Sequence, residues 1–342
     1  MEKLSPALEI TKRPIASVIG EFKAKRPVIL TSKSNLALAN ELSGGRAILV
    51  ENISVKHSTK LIGRIERMRT GAIIGMGGGK VLDVARFCAI GMDAELVMIP
   101  PTLASTALSV DKSVVVDGKG ERNYLITRAP DRVIVSLPFV MGRPYGELAK
   151  LSSSGFGDYF ARLAIAMDRA YFAHEKALGA AVRGNEKMMF ALLDWISSKF
   201  ERYEEAAVTK LAEALHSDGL RSIMEGAPSL PGSEHVFARA LESAKEGAAL
   251  KPTHGQAVSI GILLTTHVFG ELGGDKSIFE MVRDAFRKIG LPATLEELEG
   301  IGVRVGDIAN ALSETGKRKF DILLRDHWEK AAESVVGIYS EI

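Results

Sequence analysis

Cysteine, long apolar runs and excess charge are all scarce in this sequence of 342 residues. The single cysteine, Cys88, excludes an internal disulfide and favours a reducing compartment. No uninterrupted apolar stretch approaches the roughly 20 residues of a membrane-spanning helix, and the first residues lack a signal-peptide core. A net charge of +2 argues against a nucleic-acid-binding surface, which needs clustered positive charge. We therefore expect a cytoplasmic protein with no membrane span and no nucleic-acid partner.

The sequence does contain enough apolar residues for two cores. Hydrophobic residues make up 46%, and the length exceeds what one core usually organises. Short apolar runs alternate with helical patterns up to about residue 145, which predicts parallel βαβ units and a doubly wound, Rossmann-like sheet. We predict an α/β dinucleotide-binding domain at 1–146 and an all-helical metal- and substrate-binding domain at 147–342, with a cleft between them.

Two local patterns in the first domain give more specific predictions. Residues 1–25 are mixed and basic, which favours a solvated segment, so that the first buried strand is predicted at 28–32. The apolar runs at 113–116 and 124–126 flank a glycine-rich turn, which predicts a β-hairpin.

A buried strand, a glycine cluster and a helix are predicted in succession between Gly71 and Cys88. Gly77, Gly78 and Gly79 occupy the turn between them. Glycine lets a ligand approach the backbone closely, and a helix start offers N–H groups and the positive end of its dipole to a phosphate. Tight turns that bind nothing can look the same, so this cluster alone leaves both interpretations open.

Three segments of the second domain each carry a residue type that binds metals. Asp158 is predicted to open a helix, His235 lies at or just inside a helix start, and His254 directly precedes another helix. An Asp and two His at three helix starts can converge on one divalent ion, and catalytic zinc commonly takes three nitrogen and oxygen ligands. Helix-capping and surface roles are the alternatives, because no short-range pair of histidines links these positions.

Five motifs follow one another along the chain, and they are Gly75–Ala85, Pro101–Thr106, Gly155–Asp158, Gly232–His235 and His254–Gly261. In this order they resemble the iron-containing alcohol dehydrogenase and dehydroquinate synthase superfamily. The motif Pro101–Thr106 resembles the glycerol dehydrogenase form, and Gly232–His235 that of archaeal-type sn-glycerol-1-phosphate dehydrogenases. The resemblance extends from about Val28 to Leu323.

The resemblance implies a metal-dependent, NAD(P)-linked oxidoreductase that reduces dihydroxyacetone phosphate, and it implies self-association into a homo-oligomer. One divalent metal, zinc in preference to iron, is held by the catalytic residues Asp158, His235 and His254. Glu51, after the second predicted strand, is placed to bond the adenine ribose and to repel a 2′-phosphate, which favours NAD, although it could be a plain loop carboxylate. The residues implied to bind NAD or NADP are Glu51, Gly77, Gly78, Gly79, Lys80, Asp83, Thr102, Ser105 and Thr106.

The substrate pocket departs from the family pattern. Ala107 stands where glycerol-1-phosphate and glycerol dehydrogenases carry an Asp that helps to bind substrate hydroxyls, and Arg86 replaces a helix Lys. Asp111 lies four residues further on and could substitute only through a shifted loop. A phosphorylated or polyol substrate would be bound by Asp111 and by a basic loop, whose alternative role is a solvated run of charge. The cations of this loop are Lys317, Arg318 and Lys319.

Three other functions stay open at this point. The chain could be a glycerol or other small polyol or ketone dehydrogenase, a dehydroquinate-synthase-like cyclase, or a non-catalytic nucleotide-binding paralogue. The cyclase pattern has a Glu where Asp158 stands, and the segment Val110–Val114 echoes the cyclase's run without its Gly-Gly-Lys. Net oxidation of NADH separates a dehydrogenase from a cyclase, because a cyclase uses the cofactor within one turnover.

Overall fold

The computed structural model describes residues 6–175, 177–225, 232–319 and 321–340, which divide into two compact units. The first unit contains the described residues of 1–148 and 203–229, and the second those of 149–202 and 230–342. The strands all lie in the first unit. They are β1 (Ala7–Thr11), β2 (Val28–Thr31), β3 (Ala47–Leu49), β4 (Ala72–Met76), β5 (Glu95–Met98), β6 (Lys112–Val116), β7 (Arg122–Ile126) and β8 (Arg132–Ser136).

Six of these strands form one parallel sheet in the order β1-β8-β5-β4-β2-β3. The predicted parallel sheet is confirmed, and β6 and β7 form the predicted antiparallel hairpin. Strands β2 and β4 are buried along their whole length, as expected for central strands covered on both faces. Because all six strands run the same way, the segments after β3, β4 and β5 leave the sheet at one edge, where parallel sheets bind ligands.

The described helices are most numerous after β8, as predicted, and none of them combines the length and apolarity that crossing a membrane requires. They are α1 (Ile15–Gly20), α2 (Leu36–Ser43), α3 (Val55–Arg67), α4 (Gly79–Cys88), α5 (Leu137–Met141), α6 (Tyr145–Phe172), α7 (Leu178–Asn185), α8 (Lys187–Lys199), α9 (Glu205–Glu225), α10 (Ser233–Ala244), α11 (His254–Glu271), α12 (Ser277–Ile289), α13 (Leu295–Gly300), α14 (Val305–Gly316), α15 (Leu323–Asp326) and α16 (Trp328–Tyr339).

The solvated character predicted for 1–25 is wrong for part of that segment. Strand β1 pairs with β8 along five residues, from Ala7 opposite Arg132 to Thr11 opposite Ser136, and α1 buries Val18 and Ile19. The short, half-polar sequence of β1 gives little local signal, because its hydrogen-bonding partner lies more than a hundred residues away along the chain.

Helix α9 lies in the first unit, although the predicted division after residue 146 assigns it to the second domain. It packs beside the short 3₁₀ turn Thr106–Leu108. The approach is close, since a Cβ atom added to Gly219 would lie 2.7 Å from the Cβ of Ser109. Its amphipathic pattern predicts a helix but does not indicate which core the helix joins.

Helix α11 forms the centre of the second unit. It is buried around most of its circumference and packs against α10, α12 and α16. A helix that is apolar on all sides belongs in a core rather than on a surface. Its first turn is closed by a capping box between Thr253 and Gln256, which fixes where the helix begins and therefore where His254 lies.

Candidate metal centre and nucleotide-binding turn

Asp158, His235 and His254 come together in the second unit, with one potential ligand atom from each within 4.8 Å of the others. Asp158 is buried in α6, whereas His235 and His254 lie at the N-terminal ends of α10 and α11 and are partly exposed. The prediction that these residue types converge on one place agrees with this geometry. The centre thus has one buried oxygen donor and two imidazoles open toward solvent on one side.

The spacing of the ligand atoms fits a single metal ion better than direct hydrogen bonds. Oδ1 of Asp158 lies 3.5 Å from Nε2 of His235 and 3.6 Å from Nε2 of His254. Both distances are long for a hydrogen bond. Donors that each lie about 2.1 Å from a tetrahedral zinc ion are about 3.4 Å apart, so one ion can be held between these atoms.

Asp158 does not open a helix, contrary to the prediction from its sequence neighbours. Helix α6 runs unbroken for 28 residues, and Asp158 lies in its interior. Serine and glycine before Asp158 favour a helix end when judged by propensity alone. Here Ser152, Ser153 and Ser154 are buried, and tertiary packing against α11 keeps the segment helical.

Glycines beside the ligands let the helices approach closely. A Cβ atom at Gly255 would lie 1.8 Å from the carbonyl oxygen of Ser154, and one at Gly157 would lie 2.3 Å from the carbonyl oxygen of Gly255. Helices α6 and α11 therefore touch backbone to backbone at positions adjacent to Asp158 and His254. Gly261 likewise lets α11 approach α10 closely, because a Cβ atom there would lie 2.7 Å from the Cα of Glu234.

Each imidazole is also bonded through its other nitrogen to a carboxylate. Nδ1 of His235 lies 2.7 Å from Oε1 of Glu234, and Nδ1 of His254 lies 2.7 Å from Oε1 of Glu242. Burial lowers the pKa of His235, but the carboxylates of Asp158 and Glu234 outweigh it and raise that pKa to about 10. The cluster therefore favours a positive charge between its carboxylates, which either a proton or a metal ion can supply.

Asp168 forms a second buried carboxylate group close to the centre. Its Oδ2 accepts a hydrogen bond from the backbone N of Ser233 at 2.8 Å, and its Oδ1 accepts from Ser233 Oγ at 2.7 Å and from Leu323 N at 2.9 Å. Asp168 thus ties α6 to the start of α10 and to α15. Burial and the nearby carboxylate of Glu234 raise the pKa of Asp168 to about 7, against its hydrogen bonds.

This raised pKa predicts a pH-dependent effect of Asp168→Asn. Because the folded-state pKa lies above the ordinary value of 3.8, the stabilisation from protonating Asp168 is complete below about pH 4 and is lost as the pH rises through 7. The variant also loses an acceptor, which costs about 1–3 kcal/mol. Its deficit in the free energy of unfolding should therefore be larger near pH 5 than near pH 8, where it shrinks or reverses, and the change between the two pH values is at most about 3 kcal/mol.

Urea unfolding of the metal-free proteins at the two pH values measures this change. Asp284→Asn, at an exposed position on α12, is the matched control and should show no such dependence. A deficit of Asp168→Asn that is the same at both pH values would contradict the assignment.

In the first unit, the predicted sequence of strand, glycine turn and helix is confirmed by β4 and α4. The glycines serve different purposes. A Cβ at Gly77 would lie 2.5 Å from Cγ2 of Val81, so Gly77 is required by packing. A Cβ at Gly78 would meet nothing within 4 Å, which leaves space for a ligand at the start of α4. Lys80 is exposed on the first turn of the same helix.

The second predicted cofactor motif approaches this turn. A Cβ added to Gly79 would lie 3.6 Å from Ser105 Oγ and 3.7 Å from the Cβ of Ala107. Ser105 caps the 3₁₀ turn that contains Thr106, and Thr102 follows β5 at the same edge of the sheet. The structure thus brings the end of this motif beside the glycine turn, while binding of a nucleotide stays a prediction.

Asp83 and Arg86 form a buried ion pair on α4. Arg86 has no exposed surface, and it also donates from Nη1 to the carbonyl oxygen of Ala107. One arginine thereby holds both a carboxylate and the following turn, which a lysine with a single nitrogen could not do in the same way. The carboxylate predicted to line the cofactor site is therefore directed at Arg86.

Hydrogen bonds fix the backbone at Asp111, which restricts the loop shift that would bring its carboxylate to the place of the one missing at position 107. Its Oδ1 is buried, and its backbone carbonyl accepts from Thr127 N at 2.7 Å and from Thr127 Oγ1 at 3.1 Å. A substrate-binding role for Asp111 would require this arrangement to open.

The remaining predicted residues lie at the surface. Glu51 follows β3 and is exposed, and its backbone N donates to His57 Nε2 at 3.4 Å. The basic loop follows α14, as predicted, and Lys317 Nζ lies 2.5 Å from Glu314 Oε1. Arg318 and Lys319 are exposed. Their roles in binding a cofactor or substrate stay predictions.

The carboxylates around the candidate metal ligands were not predicted from the sequence. Glu234 directly precedes His235 within a recognised motif, so that its position could have drawn attention to it. Glu242 and Asp168 carry no comparable signal, because each reaches the centre only through the packing of two helices.

Comparison with known proteins tests the predicted resemblance. The fold is that of the solved structure of a probable glycerol dehydrogenase from Sinorhizobium meliloti 1021, with a TM-score of 0.70 at 18% identity over 99% of this chain and 98% of that one. The family model described as iron-containing alcohol dehydrogenase matches residues 30–144. The predicted resemblance to the iron-containing alcohol dehydrogenase family is thereby confirmed.

Two curated relatives carry a more particular name, glycerol-1-phosphate dehydrogenase [NAD(P)+]. The one from Thermofilum pendens is 25% identical over 325 residues, which cover 90% of this chain and 88% of the relative. The one from Hyperthermus butylicus is 28% identical over 253 residues, which cover 72% and 68%.

Proposed function

We propose that this chain is an NAD(P)-dependent metalloenzyme of the sn-glycerol-1-phosphate dehydrogenase type, which reduces dihydroxyacetone phosphate. The observation that carries the proposal is the convergence of Asp158, His235 and His254 at spacings suited to one ion. The names of the curated relatives support the same activity.

The donor set favours zinc among the divalent metals. Asp158 supplies an oxygen, His235 and His254 supply nitrogens, and three such ligands leave a coordination position for a substrate. When bound, a divalent metal polarises a carbonyl oxygen, and a reduced nicotinamide supplies a hydride. The partly exposed side of the two imidazoles is the side from which a small ketone can reach the centre.

The first unit supplies the groups for binding the nucleotide. The open space at Gly78 and the start of α4 suit a pyrophosphate, and α4 has no acidic residue in its first turn to repel one. Glu51, exposed after β3, suits ribose hydroxyls and disfavours a 2′-phosphate, so we propose that NAD is preferred to NADP.

The basic loop after α14 suits the phosphate of the substrate. Arg318 and Lys319 are exposed there, and Lys317 is shared with Glu314. Helix α14 packs against α10, the helix that carries His235, so loop and metal centre belong to one unit. Charge-assisted bonds from such cations recognise phosphate well. Self-association into a homo-oligomer stays a prediction beside this proposal.

The test is oxidation of NADH and NADPH with dihydroxyacetone phosphate, run alongside metal analysis of the purified protein. We expect turnover with about one zinc per chain and a higher rate with NADH. Protein stripped of metal by a chelator is the control, and it should regain activity when zinc is added.

Other results would select the alternatives. Faster turnover with dihydroxyacetone or another unphosphorylated ketone would indicate a polyol or ketone dehydrogenase. Cofactor binding without net NADH oxidation on any of these substrates would contradict the proposal and favour the cyclase or the non-catalytic paralogue.

A further inference from the structure

We infer that Glu234 and Glu242 are positioning residues for the metal centre, and that Glu234 supports metal binding more strongly than Glu242. The inference rests on the metal-binding part of the proposed function. Neither carboxylate belongs to the ligand set, and each lies behind one of the two ligand imidazoles.

The two carboxylates fix the tautomers of the imidazoles of His235 and His254. A neutral imidazole carries its proton on one nitrogen, and the hydrogen bond made by that nitrogen decides which one binds a metal. Oε1 of Glu234 and Oε1 of Glu242 each accept from Nδ1 at 2.7 Å. Both carboxylates therefore hold the proton on Nδ1 and leave Nε2 of His235 and His254 directed at Asp158.

The carboxylates of Glu234 and Glu242 have different surroundings. The Glu234 side chain is 0% exposed, whereas that of Glu242 is 24% exposed. The other oxygen of Glu234, Oε2, is buried and has no hydrogen-bonding partner among the described residues. Water can solvate Glu242 when its imidazole turns away, but the negative charge of Glu234 has no such alternative.

Another buried carboxylate, that of Asp168, lies close to Glu234. A Cβ atom added to Gly232 would lie 2.4 Å from Oε2 of Glu234 and 3.1 Å from Oδ2 of Asp168, so both oxygens lie close to one point. Two carboxylates this close repel each other in a buried site. A cation bound through His235 offsets that repulsion, so Glu234 favours a metal ion at His235 more strongly than the partly exposed Glu242 does at His254.

The test is Glu234→Gln, examined for metal affinity and for unfolding of the metal-free protein. Glutamine keeps an oxygen for Nδ1–H and puts an N–H₂ donor in place of the unpaired Oε2. We expect the dissociation constant for zinc to rise about 10–100-fold, the range for such supporting partners. Unfolding of the metal-free variant separates a loss of metal affinity from a loss of structure.

Two more variants separate the contributions. Glu234→Leu removes the acceptor as well as the charge, so its affinity should fall below that of Glu234→Gln. Glu242→Gln should weaken zinc binding less than Glu234→Gln, with no change in the metal-free Tm. Cobalt(II) bound in place of zinc should show an altered visible spectrum in each variant with a weakened imidazole, which a purely structural role would not produce.

Glu271→Gln is the matched control, since it makes the same substitution at the far end of α11, where Glu271 pairs with Lys276. It should bind zinc as tightly as the wild type. Wild-type affinity in Glu234→Gln, or an affinity lost only because the variant no longer folds, would overturn the inference. Failure of the wild-type protein to bind zinc would instead count against the proposed function.

Discussion

The His254→Ala variant should bind no zinc at micromolar metal and should lose at least about 10³-fold in kcat/KM, while its fold is retained. The polarisation of a carbonyl by a metal contributes several kcal/mol to the transition state, which corresponds to this loss. Removing one of three protein ligands leaves Asp158 and His235, too few donors for a stable catalytic site.

His254 is the better choice for this test than His235, because its side chain is 42% exposed and that of His235 is 21% exposed. Replacing His235 would also leave both oxygens of the buried Glu234 without partners. A loss of metal could then not be told apart from a loss of stability. At position 254 the carboxylate left behind, Glu242, can be solvated.

Metal content, circular dichroism and turnover with dihydroxyacetone phosphate together check this result. His174→Asn is the matched control, because His174 is an exposed histidine of the same unit, and asparagine tolerates its positive φ of 54°. The control should keep its metal and its activity. Full activity in His254→Ala would remove the assigned metal centre from the mechanism.

The three candidate ligand residues could be proposed from the sequence because each lies in a short local motif. These motifs can be recognised without any knowledge of the fold, and they are Gly155–Asp158, Gly232–His235 and His254–Gly261. The helix around Asp158 could not be predicted in the same way. Local propensity favours a break at the serines and glycines, whereas contact with α11 decides that α6 continues.

Long-range packing explains the other differences between prediction and structure. Strand β1 pairs with β8, which lies far along the chain, and α9 contacts the first unit where Gly219 meets Ser109. The bond between Glu242 and His254 depends on how α10 and α11 cross, and no spacing in the sequence encodes that crossing. Local pattern predicts α9, α10 and α11 as helices but does not determine how they pack, and for β1 it does not predict the strand at all.

The Gly255→Ala variant should be destabilised by more than about 4 kcal/mol, an effect far outside the usual range for one added methyl group. Its Cβ would lie 1.8 Å from the carbonyl oxygen of Ser154, 2.5 Å from the carbonyl carbon and 2.6 Å from the Cα. These are backbone atoms, which cannot rotate away as a side chain can. Helices α6 and α11 would have to separate by about 1 Å or more to reach ordinary contact.

This separation would act directly on the metal centre, because Gly255 follows His254 and its contact on α6 lies one turn before Asp158. The 3.6 Å between Oδ1 of Asp158 and Nε2 of His254 would widen, so any protein that still folds should bind zinc weakly. Gly306→Ala is the matched control, since Gly306 is likewise the second residue of its helix and a Cβ there would meet nothing within 4 Å.

Chemical denaturation and zinc titration measure both effects. Gly306→Ala should be neutral or more stable by up to about 1 kcal/mol, as expected when alanine replaces glycine in an open helical position. A Gly255→Ala protein with wild-type stability and zinc affinity would show that α6 and α11 do not meet through their backbones. The metal site would then have to be held together by its side chains rather than by the close contact of α6 and α11 at Gly157 and Gly255.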